Sequence, residues 1–197
     1  GLLTAEDDHW RQQRKLVAPN LQRKQIAHYA DIMVEETDRM MEQWSDGEAL
    51  PFDDDMMEIT LRVVVQALFD LDIDRRIERV GEAIDDTMSY FHEIMHSVWR
   101  WVPNVGPSPS KRAYRRAHED LNEIIYDLID ERRERDDPGD DLLYRLLQAR
   151  DDDGHQMSDR QLRDEVLTLF MAGHETTSLT ITFALYFLSR RPEAMAR

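Results

Sequence analysis

Two groups of residues have types and spacings that could do chemistry. The first is the run Ala172-Gly173-His174-Glu175-Thr176-Thr177. Glu175 beside Thr176 is an acid–alcohol pair, suited to passing protons through water into a dry site. A Thr hydroxyl in mid-helix can bond the carbonyl one turn back, Ala172 for Thr176, which loosens the backbone ladder. Gly173 removes a side chain and permits close approach of something flat or diatomic. The residues alone leave a second account open, a core helix with a packing Gly and two back-bonded Thr. The second group is Trp10 and Arg14, four apart and hence on one helix face. By itself this spacing makes a local cation–π pair worth at most about 0.5–1 kcal/mol when exposed.

The elements that must position these residues read as a succession of helices. Ser158 with Gln161 three positions later forms a capping box, opening a helix that runs without a breaker to about Ser189. At 1.5 Å per residue it spans on the order of 45–50 Å. Pro192 starts another helix. Upstream, Thr4 followed by Asp7 predicts an N-cap for a helix through about Ala18, ended by Pro19. A second helix is expected from roughly Gln22 to Trp44, and an apolar one over 56–69 after the acidic cluster Asp53–Asp55. Helices over 75–101 and 111–135 flank a Pro- and Gly-dominated loop at 103–110. Met88, Phe91, Met95, Trp99 and Trp101 on the first of these could line an apolar chamber or pack one helix on another. A short helix over 141–150 and the turn Asp151-Asp152-Asp153-Gly154 follow. The fold class expected is all-α, as one unbroken domain over 1–197.

Composition narrows the functional classes. Of 197 residues, 41 are acidic and 25 basic, a net charge of −16, and lysine occurs only at Lys15, Lys24 and Lys111. Two origins fit, an ordinary acidic cytosolic protein or one adapted to a salty cytoplasm where surface repulsion is screened. Non-specific nucleic-acid binding through bulk charge is disfavoured either way. With no Cys, neither a disulfide framework nor a thiolate metal ligand can come from these residues. The apolar stretch 167–188 is no membrane span, because His174 and Glu175 sit at its centre. Between His9 and Ala30 there is no acidic residue, while Arg11, Arg14, Lys15, Arg23 and Lys24 fall there. That strip is either a solvated helix face or a docking patch.

An Ala-Gly-x-Glu-Thr-Thr stretch in a long, otherwise apolar helix resembles the oxygen-binding signature of the cytochrome P450 family. The flanking Leu162-Arg163-Asp164-Glu165-Val166, Ala184-Leu185-Tyr186-Phe187-Leu188 and Arg191-Pro192-Glu193 resemble it too. The resemblance implies a haem-dependent, cytoplasmic monooxygenase that hydroxylates a small apolar organic substrate. Dioxygen would be the oxidant, and electrons would come from NAD(P)H through a redox partner. It implies that Thr176 relays protons and stabilises oxygen, with Glu175 as its acidic partner, and that Ala172 and Gly173 floor the haem groove. Trp10 and Arg14 match a Trp-x-x-x-Arg that donates to the haem propionates, a role suited to a donor-only indole and a rigid guanidinium fork. Aligning on Arg14 makes His9 incidental, and Leu21 stands where the family usually has Phe. A ferredoxin or flavoprotein reductase is implied to dock near Arg11, Lys15, Arg23 and Lys24. The helices over 75–101 and 111–135 correspond by order and length to the family's lid over the substrate chamber.

The resemblance covers the whole of this sequence but about half of a family member. The family's later Glu-x-x-Arg helix and its Cys-containing haem loop have no counterpart here. The axial ligand therefore lies outside these residues, and the chain alone is expected to be inactive. The rival from another class is a non-catalytic helical remnant or interaction module.

Overall fold

The computed structural model describes residues 1–70, 77–96, 109–139 and 141–195. The side chains of some residues inside those helices, Arg23 and Lys24 among them, are not described. The described residues form helices and no strand. They are α1 (Asp7–Val17), a 3-10 turn (Ala18–Leu21), α2 (Arg23–Met41), α3 (Phe52–Phe69), α4 (Ile77–His96), α5 (Pro109–Glu134), α6 (Leu142–Gln148), α7 (Asp159–Ser189) and α8 (Pro192–Met195). Two compact units result, one of residues 1–71 with 136–197, the other of 72–135. Among the described residues no helix is long and apolar enough to cross a membrane.

The first unit is built on α7 packed along α3. Buried Met56, Ile59, Val65, Leu68 and Phe69 of α3 share this core with Leu162, Val166 and Phe170 of α7 and with Leu142, Leu143 and Leu146 of α6. Each such side chain contributes about 1.5–3 kcal/mol on burial, against about 0–1 kcal/mol for an exposed ion pair. Apolar packing therefore sets where α7 lies. The Ser158 box is formed as expected: its Oγ accepts from the Gln161 amide at 3.3 Å while the Gln161 side chain accepts from the Ser158 amide at 2.9 Å.

Three boundaries differ from expectation. Thr4 caps nothing; its hydroxyl donates to the Gly1 carbonyl at 3.4 Å and α1 begins at Asp7. Asp53–Asp55 do not precede α3 but form its first turn, where unpaired amides and the helix dipole favour acids. Pro109 belongs to α5 rather than the loop, at a first-turn position that suits a residue without an N–H.

In the second unit α4 and α5 bury Val80, Ala83 and Ile84 with Leu121, Ile124, Ile125, Leu128 and Ile129. Tyr90 stacks on Tyr114 at 4.5 Å, and Arg79 reaches both Asp120 and Glu123 at 3.4 Å. Met88 is half-buried. The Phe91 and Met95 side chains, and Trp99 and Trp101 altogether, lie outside the described residues.

Candidate functional site

The hexapeptide is the middle of α7, and each of its residues is placed by the way that helix meets α3. Val166, Phe170, His174 and Ser178 recur every four residues on the buried side. His174 is 4% exposed; its Nε2 lies 3.1 Å from the Met57 carbonyl of α3, and its ring stacks on Phe170. A carbonyl only accepts, so this contact assigns the proton to Nε2. At 100° per residue, Ala172 and Thr176 then lie about 200° round the helix from His174. Both are exposed, and the exposed side continues through Leu179, Thr180, Phe183 and Phe187. Glu175 is half-buried on the flank. Among the described residues its carboxylate takes no hydrogen bond or ion pair.

Gly173 stands where α7 meets α3. A Cβ built there would lie 3.1 Å from Val64 Cγ2, so its missing side chain faces α3 and lets two helices approach. The packing account of this Gly is therefore met directly. Thr176 is back-bonded as expected, its Oγ1 donating to the Ala172 carbonyl at 2.6 Å. Thr168 and Thr180 do the same toward Asp164 and Thr176, also at 2.6 Å. Back-bonding is thus a habit of this helix. Exposure and the neighbouring acid distinguish Thr176, not the bond.

Trp10 and Arg14 stand together on α1, with the Arg14 Cζ 5.1 Å from the indole centroid. Trp10 is 37% exposed and Arg14 is exposed. Among the described residues neither the indole N–H nor the guanidinium takes a hydrogen-bond or ion-pair partner. In a chain with 41 acids to 25 bases, an uncommitted guanidinium beside an uncommitted N–H is an open receptor for carboxylates. This donor set fits the propionates of a haem, and the exposed Ala172–Thr176 stripe with its apolar continuation fits the face of one. No hydrogen bond or ring contact joins the pair directly to the hexapeptide among the described residues.

The basic strip is less bare than its sequence. Arg11 pairs with Asp8 at 2.8 Å and Lys15 with Asp152 at 2.6 Å, while the Arg23 and Lys24 side chains lie outside the description. Gln12 donates to Asp151 at 2.9 Å, so α1 is clasped by the loop that follows α6. The Asp152 hydrogen bond and charge hold Lys15 above its usual pKa. Gln12 first, then the His155 amide, hold Asp151 below its own. Sequence reasoning missed this clasp because its partners are about 140 residues apart. It missed the His174–Met57 bond for the same reason, although the four-residue spacing from Phe170 marks His174 as inward-facing.

The Cytochrome P450 family model matches residues 1–197. Pentalenene oxygenase of Streptomyces avermitilis is 33% identical over 201 residues, covering 100% of this chain and 44% of the relative. Cyclooctatin synthase of Streptomyces melanosporofaciens is 32% identical, covering 100% and 43%. Among solved structures, the heme domain of cytochrome P450DA superposes with a TM-score of 0.82 at 28% identity, covering 96% of this chain and 42% of that one. The chain spans less than half the length of the relatives it matches.

Proposed function

Because the chain belongs to the cytochrome P450 family, we propose that the whole protein acts as a haem-dependent monooxygenase on a small apolar organic molecule, using dioxygen and electrons passed from NAD(P)H through a redox partner. The observation that carries this reading is the split of α7 into two sides. One side is pinned to α3 through Gly173 and His174; the other presents Ala172 and Thr176 with an uncommitted Glu175 beside them. Haem, when bound, supplies the centre at which dioxygen is activated. Trp10 Nε1 and the Arg14 guanidinium would hold its propionates, and Ala172 would lie against its face.

The proton chemistry belongs to Thr176 and Glu175. With its only hydrogen donated to the Ala172 carbonyl, Thr176 Oγ1 can accept but not give. To hand a proton into the site, the hydroxyl must swing off that carbonyl, and the Glu175 carboxyl, directly or through water, must resupply it. The apolar stripe of Leu179, Phe183 and Phe187 continues the same side of the helix and suits a site from which bulk water is kept. The pentalenene oxygenase name makes pentalenene the first substrate to try. Arg23 and Lys24, with Arg11 and Lys15, are the proposed docking cations for an acidic ferredoxin or flavoprotein; replacing the first two with Glu should slow electron delivery most at low salt.

The test is Thr176→Ala in the haem-loaded protein. Product formed per NAD(P)H should fall by about 10²-fold, the low end for losing a positioned proton donor, with the electrons recovered as peroxide. Thr176→Ser should restore coupling. Coupling that survives the alanine would sink the relay role.

A further inference from the structure

One fully buried acid has no part in that chemistry. Glu165 of α7 is 1% exposed, and its Oε2 accepts the backbone N–H of Leu2 at 2.9 Å, a contact between residues 163 apart. A buried carboxylate is costly unless hydrogen bonds offset it, and an apolar side chain would pack the same space without that cost. The retained acid therefore answers to the amide it meets. A second observation comes from Gly1. A Cβ there would collide with Thr168 Oγ1 and lie 2.5 Å from the Asp164 carbonyl, so the backbone of Gly1 rests directly on α7. The Gly1 carbonyl in turn accepts from the Thr4 and Ala5 amides, both at 3.1 Å, closing a turn that leads into α1.

The place of this turn gives it meaning. Asp164, Thr168, Ala172 and Thr176 are four apart and follow one stripe along α7. The turn sits on the first two, and the next two are the exposed pair. We propose that Glu165 is a positioning residue: it latches the Gly1–Ala5 turn onto α7, closes one end of the groove before Ala172 and Thr176, and sets α1, with Trp10 and Arg14, relative to them. The role in positioning rests on reading those residues as the haem face; the latch itself does not.

The experiment compares Glu165→Leu, which removes the acceptor, with Glu165→Gln, which keeps an amide oxygen in its place, in the haem-loaded whole protein. Hydrogen exchange at the Leu2, Thr4 and Ala5 amides should quicken by about 10-fold or more in Glu165→Leu, as expected for losing a bond to a charged group. Glu165→Gln should restore most of the protection. Haem release should quicken in Glu165→Leu and be rescued by the same Gln. Should Glu165→Leu fail to fold, Leu2→Pro deletes the donor and leaves α7 untouched; exchange at Thr4 and Ala5 should then rise as for the acid variant. Unchanged exchange in the folded variants, or a Gln variant as loose as the Leu variant, overturns the latch. Faster exchange with unchanged haem release overturns the positioning role. The exchange readout needs no assumption about haem, so failure of the propionate reading, seen as normal haem retention in Arg14→Ala, is a separate result.

Discussion

Gly173→Ala separates two accounts of the hexapeptide glycine, and its size follows from the structure. In a helix interior the substitution gains about 1 kcal/mol of intrinsic propensity. Against this, the new Cβ would stand 3.1 Å from Val64 Cγ2, inside the roughly 3.5–4.0 Å of a favourable carbon–carbon contact. Val64 is β-branched and has one strongly preferred rotamer in a helix, so it cannot turn the methyl away cheaply. Overpacking of this kind costs about 1–3 kcal/mol, leaving a net loss of about 0–2 kcal/mol. In a Val64→Ala background the obstructing methyl is gone, and Gly173→Ala should then gain its full ~1 kcal/mol. The two substitutions should therefore be coupled by about 1–3 kcal/mol. Urea unfolding of the parent, both single variants and the double variant, read by helix content and extrapolated linearly, measures this. Additivity within about 0.5 kcal/mol would refute the packing account. A loss of haem occupancy in Gly173→Ala that Val64→Ala leaves uncorrected would return the glycine to the open side of α7.

Arg14→Ala should cost at most about 0.5–1 kcal/mol of stability, the worth of an exposed cation–π pair. It should nonetheless speed haem release by about 10–100-fold through loss of a charge-assisted bond; transfer of haem to an acceptor protein measures this, and unchanged release removes Arg14 from the site. His174→Phe keeps an aromatic ring against Phe170 and removes the bond to Met57. The single Thr60 hydroxyl hydrogen, nearer the Met56 carbonyl at 2.8 Å, can turn to that of Met57, 3.2 Å away, so the cost in urea unfolding should be about 0.5–1.5 kcal/mol, and a loss above 3 would show that more than this bond is at stake. The clasp of α1 on the loop 151–155 should be constant across neutral pH. Lys15 is raised above its usual 10.5, so its contribution is full below 10.5 and is lost as pH climbs past the raised value. Asp151 is lowered below its usual 3.8, so its contribution is full above 3.8 and is lost as pH falls through the lowered value. Chemical shifts of the Gln12 side-chain amide report the clasp; with His155, whose Nδ1 lies 3.4 Å from Asp151, replaced by Gln, a transition near pH 7 would contradict this assignment.

What the sequence disclosed well was periodic or local. The Ser158–Gln161 box and the run to Ser189 fix α7 because each rests on residues within a few positions of one another. The buried stripe of α5, from Leu121 to Ile129, was visible for the same reason. Asp53–Asp55 were misplaced because three acids in a row read as a break, whereas at a helix N-terminus they meet free amides. Within the candidate site, type and spacing brought forward Thr176, Glu175, Trp10 and Arg14, and the structure sets Thr176 and Ala172 on the exposed side of α7 and Arg14 over the Trp10 ring. The orientation of Gly173 was not legible, since a residue without a side chain gives no sign of which neighbour needs the room. Nor was the neutralisation of Arg11 and Lys15, because one partner, Asp152, arrives from 137 residues away.

The chemistry assigned to Thr176 depends on a choice the helix makes about its own axis. Thr168, Thr176 and Thr180 have the same hydroxyl bonded in the same way at the same 2.6 Å, so the bond confers no special reactivity. Their surroundings differ. Thr168 lies under the Gly1 turn, Thr180 stands a turn further from any acid, and Thr176 has Glu175 beside it on the open side. A roll of α7 by one residue, about 100°, would carry Glu175 to the open side and turn Thr176 onto its flank. Gly173 against Val64 and His174 on Met57 both lie on the α3 side, one a steric contact and one a directed bond. A roll of that size in either direction takes the Gly173 backbone off its seat against Val64 and breaks the His174 bond to Met57. Gly173 and His174 thus fix which residues of the hexapeptide stand on the open side of α7.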